Sequence, residues 1–313
     1  MRSEVKVEVA VVGSANLDLV VDVASLPVSG ETVHGGDLQR IPGGKGANQA
    51  VAAARLGRRT AMIGRVGGDD AGAVLRAAVG SAGVDVAGLL TTEGAPSGIA
   101  LIPVAADGEN VVVVSPGANG RLSAADVDAA AEVLEAAAVT LLQLEVPVEA
   151  VVTAARRAAG LVVLTPAPAP SVPLDEDLLS SIDVLVPNQS ELATMAGQPQ
   201  LAASGAVDAE TAVELARGIP VAAAVVTLGS AGAMVVTPDD VRHVPAPRVA
   251  SVDTTAAGDA FCGALADALV DGADLVAAAQ WAVKVGAAST MRHGAQSSLP
   301  ARAEVEGLLE GLL

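Results

Sequence analysis

Residues Val139 to Thr165 read VTLLQLEVPVEAVVTAARRAAGLVVLT: an apolar run, an amphipathic stretch and a second apolar run. Short Val- and Leu-rich runs without polar alternation suit strands buried on both faces. The spacing predicts strands at 139–144 and 161–165 joined by a helix at 148–159. The same alternation extends outward. A helix is expected at 124–138, helix 174–180 leads to strand 182–186, and helices near 189–196 and 208–217 precede strand 221–227. This pattern specifies a parallel sheet with helices on both faces, and right-handed crossovers make it doubly wound.

Nearer the N-terminus, Val7–Val12 reads as a buried first strand ending at Gly13. Leu19–Val23 and Thr32–Ile41 read as strands around a Pro/Gly turn with no helix between them, a hairpin rather than a βαβ unit. A helix at 50–56 closed by Gly57, a strand at 60–65, a helix at 69–82 stopped by Gly83 and a strand at 84–90 follow. Ser97–Val104 and Glu109–Ser115 flank Asp107-Gly108, a hairpin signal. The two hairpins can pair into a small four-stranded sheet. Beyond the main alternation, the apolar run Ala260–Val270 reads as a buried helix, and 273–291 and 302–313 as further helices. The expectation is one α/β domain, 1–313, with a mostly parallel central sheet and a small β-sheet lid formed by 17–41 and 97–115.

The composition narrows the function. A formal net charge of -18 argues against nucleic acid or an anionic membrane as partner. It leaves room for a nucleotide, which brings Mg²⁺ and can be held by backbone N–H groups. No apolar run crosses a bilayer, Met1–Lys6 carries no secretory signal, and the single Cys262 excludes an intrachain disulfide framework. A soluble cytoplasmic protein is expected. With one Phe, one Trp and no Tyr, any base or sugar must pack mainly on aliphatic side chains and backbone.

The chemistry concentrates in Ser251-Val252-Asp253-Thr254-Thr255-Ala256-Ala257-Gly258-Asp259. Small residues at a helix start expose backbone N–H groups that attract phosphate, and Asp259 stands beside them as a candidate base. Polar residues also mark the C-terminal ends of strands, where open α/β sheets bind ligands. They are Asn16 and Asp18 after the first strand, Glu145 after 139–144, Asn188 and Glu191 after 182–186, and Thr227 with Gly229 and Ser230 after 221–227. Pro42-Gly43-Gly44-Lys45-Gly46-Ala47-Asn48-Gln49 precedes a helix and fits neither a Walker A loop nor a dinucleotide fingerprint. Its glycines permit close approach to a ligand, and Lys45 and Asn48 offer donors to hydroxyls.

These motifs, in this order and nearly end to end, resemble the ribokinase-like (phosphofructokinase-B type) carbohydrate kinase family. Gly13-Ser14-Ala15-Asn16-Leu17-Asp18, Gly43-Gly44-Lys45-Gly46-Ala47-Asn48, Pro187-Asn188-Gln189-Ser190-Glu191 and Asp253-Thr254-Thr255-Ala256-Ala257-Gly258-Asp259 carry the likeness. The resemblance implies ATP-dependent phosphorylation of a sugar, D-ribose at its 5-hydroxyl. It implies Asp259 as catalytic base and the N–H groups of Ala256, Ala257 and Gly258 as anion hole. Asn16, Asp18, Gly44, Lys45, Asn48, Glu145 and Asp259 would bind sugar. Asn188, Thr227, Gly229, Ser230, Gly232, Gly258 and Val283 would line the nucleotide, with Val283 giving adenine an apolar neighbour.

The resemblance further implies Mg²⁺ organised by Asn188 and Glu191. It implies an activating K⁺ held by Asp253, Thr255, Ser289, Arg292, Gly294 and Ser298, and a homodimer formed through the lid. Lys284 has no assigned role. The rival readings are a kinase for 2-deoxyribose, fructose or a nucleoside, and a catalytically silent sugar-binding protein on the same fold.

Overall fold

The computed structural model describes residues 7–205 and 207–310. Met1–Lys6, read above for a secretory signal, and the last three residues of the helix expected at 302–313 lie outside the described residues. The strands in chain order begin with β1 (Val9–Val12), β2 (Asn16–Val23), β3 (Gln39–Gly43), β4 (Thr60–Gly67), β5 (Leu89–Thr92), β6 (Gly98–Ala105) and β7 (Val113–Ser115). They continue with β8 (Val139–Leu142), β9 (Leu161–Leu164), β10 (Val184–Leu185), β11 (Ala223–Thr227), β12 (Ala233–Val236) and β13 (Val241–Val244).

The main sheet runs β13-β12-β11-β10-β9-β8-β1-β4-β5. From β5 to β11 every pairing is parallel, and only β12 and β13 are antiparallel. Side chains alternate across it. Val9 and Val11 enter a core shared with helices Lys45–Arg55, Ala257–Val270 and Leu275–Ser289. Ala10 and Val12 face the opposite core, shared with helices Val148–Arg157 and Ala209–Arg217. The two-faced α/β architecture expected from the alternation is thus the observed one.

A separate small sheet runs β3-β2-β6-β7, with β2 and β6 parallel and the outer pairs antiparallel. The two hairpins pair as expected, but the strand placed at 32–41 is shorter. Gly35 makes one bridge to Val23, and regular pairing resumes only at Gln39. Gly35 approaches Val21 so closely that a Cβ would lie 2.5 Å from its side chain, and flexible glycines hold a ladder poorly.

Other boundaries moved as well, and the strand expected at 109–115 is regular only over Val113–Ser115. The helix expected from Ala50 begins at Lys45, because Gly44, at φ 91°, turns the chain directly out of β3. The run 84–90 bridges Ala61 at Asp85, and its regular strand starts only at Leu89, past Gly88. The helix expected at 124–138 is two, Ala124–Ala129 and Ala131–Ala136, broken at Ala130.

Helix Ala257–Val270 is anchored at its far end by Asp267. This carboxylate is 1% exposed and accepts from Arg58 Nε, from Trp281 Nε1 at 2.7 Å and from Arg302 at 2.6 Å. Arg302 also stacks over the Trp281 ring at 5.2 Å. Two arginines and an indole N–H supply the donors that a buried charge requires.

Candidate active site

In the main sheet the chain proceeds from β1 to β4 and β5 on one side, and from β8 to β11 on the other. β1 and β8 are neighbours, so the connections leaving them diverge and open a crevice. Ser14 and Asn16 follow β1, and Gln143 and Glu145 follow β8. Helices Lys45–Arg55 and Ala257–Val270 start above this crevice. They pack closely because residue 263 is glycine: a Cβ there would lie 2.5 Å from that of Ala52. The close approach sets Asn48 and Gln49 against Asp259.

A polar basket results. Glu145 Oε2 accepts from Ser14 Oγ, from Asn16 Nδ2 at 3.3 Å and from the Lys45 N–H at 3.1 Å. Asn16 Oδ1 is taken by Asn119 Nδ2 at 2.7 Å, which leaves the Asn16 amide as a donor toward the site. Gly44 lets the loop close onto β2: a Cβ there would lie 2.6 Å from the Asn16 nitrogen. Asp259 is buried, with Oδ2 accepting from Asn48 Nδ2 at 2.9 Å and Oδ1 from Gln49 Nε2 at 3.1 Å. The Asn48 Oδ1 atom is buried without a partner.

The charges are mutually dependent. Burial pushes the Asp259 carboxyl up, and Lys45, Asn48 and Gln49 pull it back. Asp18 is pushed up to about 7 by burial and then by Glu145 and Asp259, against the pull of Lys45. Burial disfavours the Lys45 ammonium, yet Asp259, Glu145 and Glu191 together hold its pKa above the usual lysine value. A cation central to several carboxylates is thereby kept charged.

Asp259 stands at the tip of its helix. Ala256, at φ 58°, is the one non-glycine residue with positive φ among those described. A left-handed residue followed by helical ones turns successive N–H groups to one concave side. The Ala257 N–H, one of the three expected anion-hole donors, instead bonds the Thr254 carbonyl at 3.2 Å. Those of Ala256 and Gly258 have no acceptor among the described residues.

On the other side of this tip lies a cavity of about 530 Å³ lined by Thr227, Gly229, Ser230, Gly232, Gly258 and Val283, with Phe261 among its apolar walls. Asn188 is not part of it. It lines an adjoining hollow that shares Thr227 and Gly229. Asn188 caps the helix Gln189–Met195, with its Oδ1 accepting from the Glu191 N–H and Glu191 Oε2 accepting from the Asn188 N–H. Lys284 is exposed.

Asp253 accepts from the N–H groups of Thr255 at 2.9 Å and Gly294 at 2.8 Å, and the Thr290 carbonyl accepts from Val252 and Asp253. The loop leading into this helix tip is therefore tied to the turn carrying Ser289, Arg292, Gly294 and Ser298. Burial works against the Asp253 charge, but these hydrogen bonds outweigh it and lower its pKa. Among the described residues no group of three or more His, Cys, Asp and Glu side chains could hold a metal ion, and no helix is long and apolar enough to cross a membrane.

Four further polar residues, given no role by sequence reasoning, are buried behind the basket and brace it: Ser14, Gln49, Asn119 and Gln143. Gln143 carried a signal, a lone amide inside the run Leu141-Leu142-Gln143-Leu144. Asn119 carried none, since it lies in a Gly-rich turn far along the chain.

The pfkB family carbohydrate kinase model matches residues 6–302. A ribokinase of Schizosaccharomyces pombe is 38% identical, covering 96% of this chain and 97% of that protein. A deoxyribokinase of Salmonella typhimurium is 37% identical, covering 94% and 95%. The structure of Arabidopsis thaliana ribokinase complexed with ribose and ATP superposes with a TM-score of 0.83 at 30% identity, covering 97% of this chain and 99% of that one. With the site at the sheet's switch point and the match spanning nearly its whole length, the chain belongs to the pfkB family of carbohydrate kinases.

Proposed function

We propose that this chain transfers the γ-phosphoryl group of ATP to the 5-hydroxyl of D-ribose. One observation carries the reading: Asp259 sits at a helix tip between a basket of polar groups suited to hydroxyls and a separate cavity of about 530 Å³. A sugar in the basket presents its primary hydroxyl to Asp259 Oδ2. As the bond from that oxygen to the γ-phosphorus forms, the proton passes to Asp259 and the bond to the β-bridging oxygen breaks, releasing ADP. The unspent N–H groups of Ala256 and Gly258 and the Lys45 ammonium stabilise the charge on the transferring group. Asn16, Asp18, Gly44, Asn48 and Glu145 position the sugar, and the bare Asn48 Oδ1 offers it an acceptor. Thr227, Gly229, Ser230, Gly232 and Val283 line the nucleotide, and Asn188 borders it.

Two ions fit the reading. Glu191 spends one oxygen on its helix cap and keeps Oε1. With Asn188 it suits a Mg²⁺ bound through water, as that ion retains much of its hydration shell. Magnesium supplies charge neutralisation of the phosphates. K⁺ would join the Asp253 loop to the turn with Thr255, Ser289, Arg292, Gly294 and Ser298. The small sheet covers the site as a lid on a single domain, and its exposed Leu101, Val113 and Val114 suit pairing with a second copy.

An assay of ATP consumption over ribose, 2-deoxyribose, fructose and nucleosides, with Mg²⁺ and K⁺, tests the reading. The deoxyribokinase relative makes 2-deoxyribose the informative competitor. Ribose is expected to give the highest kcat/KM. A higher value for another sugar reassigns the substrate, and no turnover with any leaves a silent binding protein.

A further inference from the structure

The two amides that reach Asp259 are held differently. Asn48 keeps a bare Oδ1 and touches the basket, so it has an acceptor left to offer a sugar. Gln49 is fully buried, and its Oε1 accepts from Gln143 Nε2 at 2.6 Å. Gln143 is fully buried too, wedged against Gly13, where a Cβ would lie 2.0 Å from Gln143 Oε1. A primary amide can exchange its oxygen and nitrogen by rotating half a turn. While Gln143 donates, the rotated Gln49 would place nitrogen against nitrogen on one side and oxygen against carboxylate on the other. With Gln143 donating, only the observed orientation of Gln49 suits both its neighbours, and Gln143 is held by packing against Gly13, since its own Oε1 has no hydrogen-bond partner.

We infer that Gln49 is a positioning residue for the catalytic base and that Gln143 fixes its orientation, a relay Gln143→Gln49→Asp259 running behind the sugar site. The inference rests on the kinase reading, in which Asp259 is the base. When Asn48 also serves the substrate, Gln49 remains the amide donor on Oδ1. It keeps the carboxylate ionised and aims Oδ2 at the hydroxyl. A base oriented by a third, non-reacting group is a recurrent arrangement. The charged groups facing Asp259 are Lys45, Asp18, Glu145 and Glu191. The Cys262 thiol one turn on, pushed up to about 12 by burial, stays neutral. Thr165 Oγ1 lies 3.5 Å from Gln49 Nε2 and 3.2 Å from Cys262 Sγ, so it supports the relay from the side. Donation to the charged form offsets the desolvation of Asp259, so losing it should make the base harder to ionise.

The test uses the full chain with ATP, Mg²⁺ and ribose, and the variants Gln49→Met, Gln143→Met and the double variant. Gln49→Met is expected to lower kcat by about tenfold or more near neutral pH, the scale of general-base effects. Ribose KM should change far less. Its acidic limb in kcat/KM should move up by about one pH unit, a shift of the size one hydrogen bond gives. Gln143→Met, which touches neither Asp259 nor the sugar site, should shift the limb the same way by less. The double variant should be no worse than Gln49→Met, because Gln143 acts only through Gln49. A uniform loss across pH, profiles that superimpose on the unaltered chain, or additive losses in the double variant would each overturn the relay. If Gln49→Met is not recovered folded, the shift in Gln143→Met decides alone. Failure of the unaltered chain to phosphorylate ribose overturns the kinase reading, and the inference with it.

Discussion

The carboxylate of Asp18 lies against the α-carbon of Gly43, so close that a Cβ on Gly43 would come within 2.2 Å of Oδ2. Backbone walls off that side of the acid, and burial with two acidic neighbours pushes it up to about 7 from an ordinary 3.8. The folded chain therefore holds a proton on Asp18 that the unfolded chain releases near pH 4. The stability this proton confers is full below about pH 4 and is lost as pH rises through about 7. Asn mimics the protonated form. Asp18→Asn should raise Tm over the unaltered chain by less at pH 5 than at pH 8, and bind ribose more weakly. An equal Tm difference at both pH values would contradict this account.

Asp259→Asn removes the base and keeps an amide able to hydrogen-bond Asn48 and Gln49. Ribose binding by calorimetry should survive, while kcat falls by about 10²–10⁴-fold, the range typical of general-base removal. Near-normal turnover would take Asp259 out of the reaction.

Asp267→Ala leaves Arg58 and Arg302 facing an emptied position. Breaking a buried charge cluster costs roughly 3–5 kcal/mol, and the lower end is expected because Arg302 is 40% exposed. Denaturant unfolding reads the loss. At 25 °C the folded fraction should keep its kcat, since eight residues of helix place Asp267 about 12 Å from Asp259.

If a bound cation ties the Asp253 loop to the turn beyond Thr290, replacing K⁺ by tetramethylammonium should remove most of the rate. Asp253→Ala should be slow in both buffers, having lost a ligand and the hydrogen bonds to Thr255 and Gly294. Equal rates of the unaltered chain with and without K⁺ would dismiss the ion.

The parallel core was legible because strands buried on both faces need uninterrupted Val and Leu, and such runs survive in one dimension. The hairpin β12–β13, in which Ala233–Val236 and Val241–Val244 flank Pro238-Asp239-Asp240, was not legible in the helix–strand alternation, because an antiparallel pair has no intervening helix to mark it. The start of helix Lys45–Arg55 was obscured by its own glycines. Gly44 is needed for its positive φ, and Gly46 for an approach in which a Cβ would lie 2.6 Å from the Ser14 nitrogen. Neither requirement is visible without the neighbour. The same holds for Asn119, which meets Asn16 across 103 residues of chain. Asp259, by contrast, announced itself through local chemistry, an acid among small residues at a helix start.

The lone indole of the chain has an optical consequence. Trp281 is pinned by Asp267 and overlaid by Arg302, and there is no tyrosine to add a second signal. Its emission should register the loosening of that charged corner in thermal melting. It should stay nearly silent when sugar or nucleotide arrives, so a fluorescence titration of ligands will need a reporter introduced elsewhere, for instance on the small sheet.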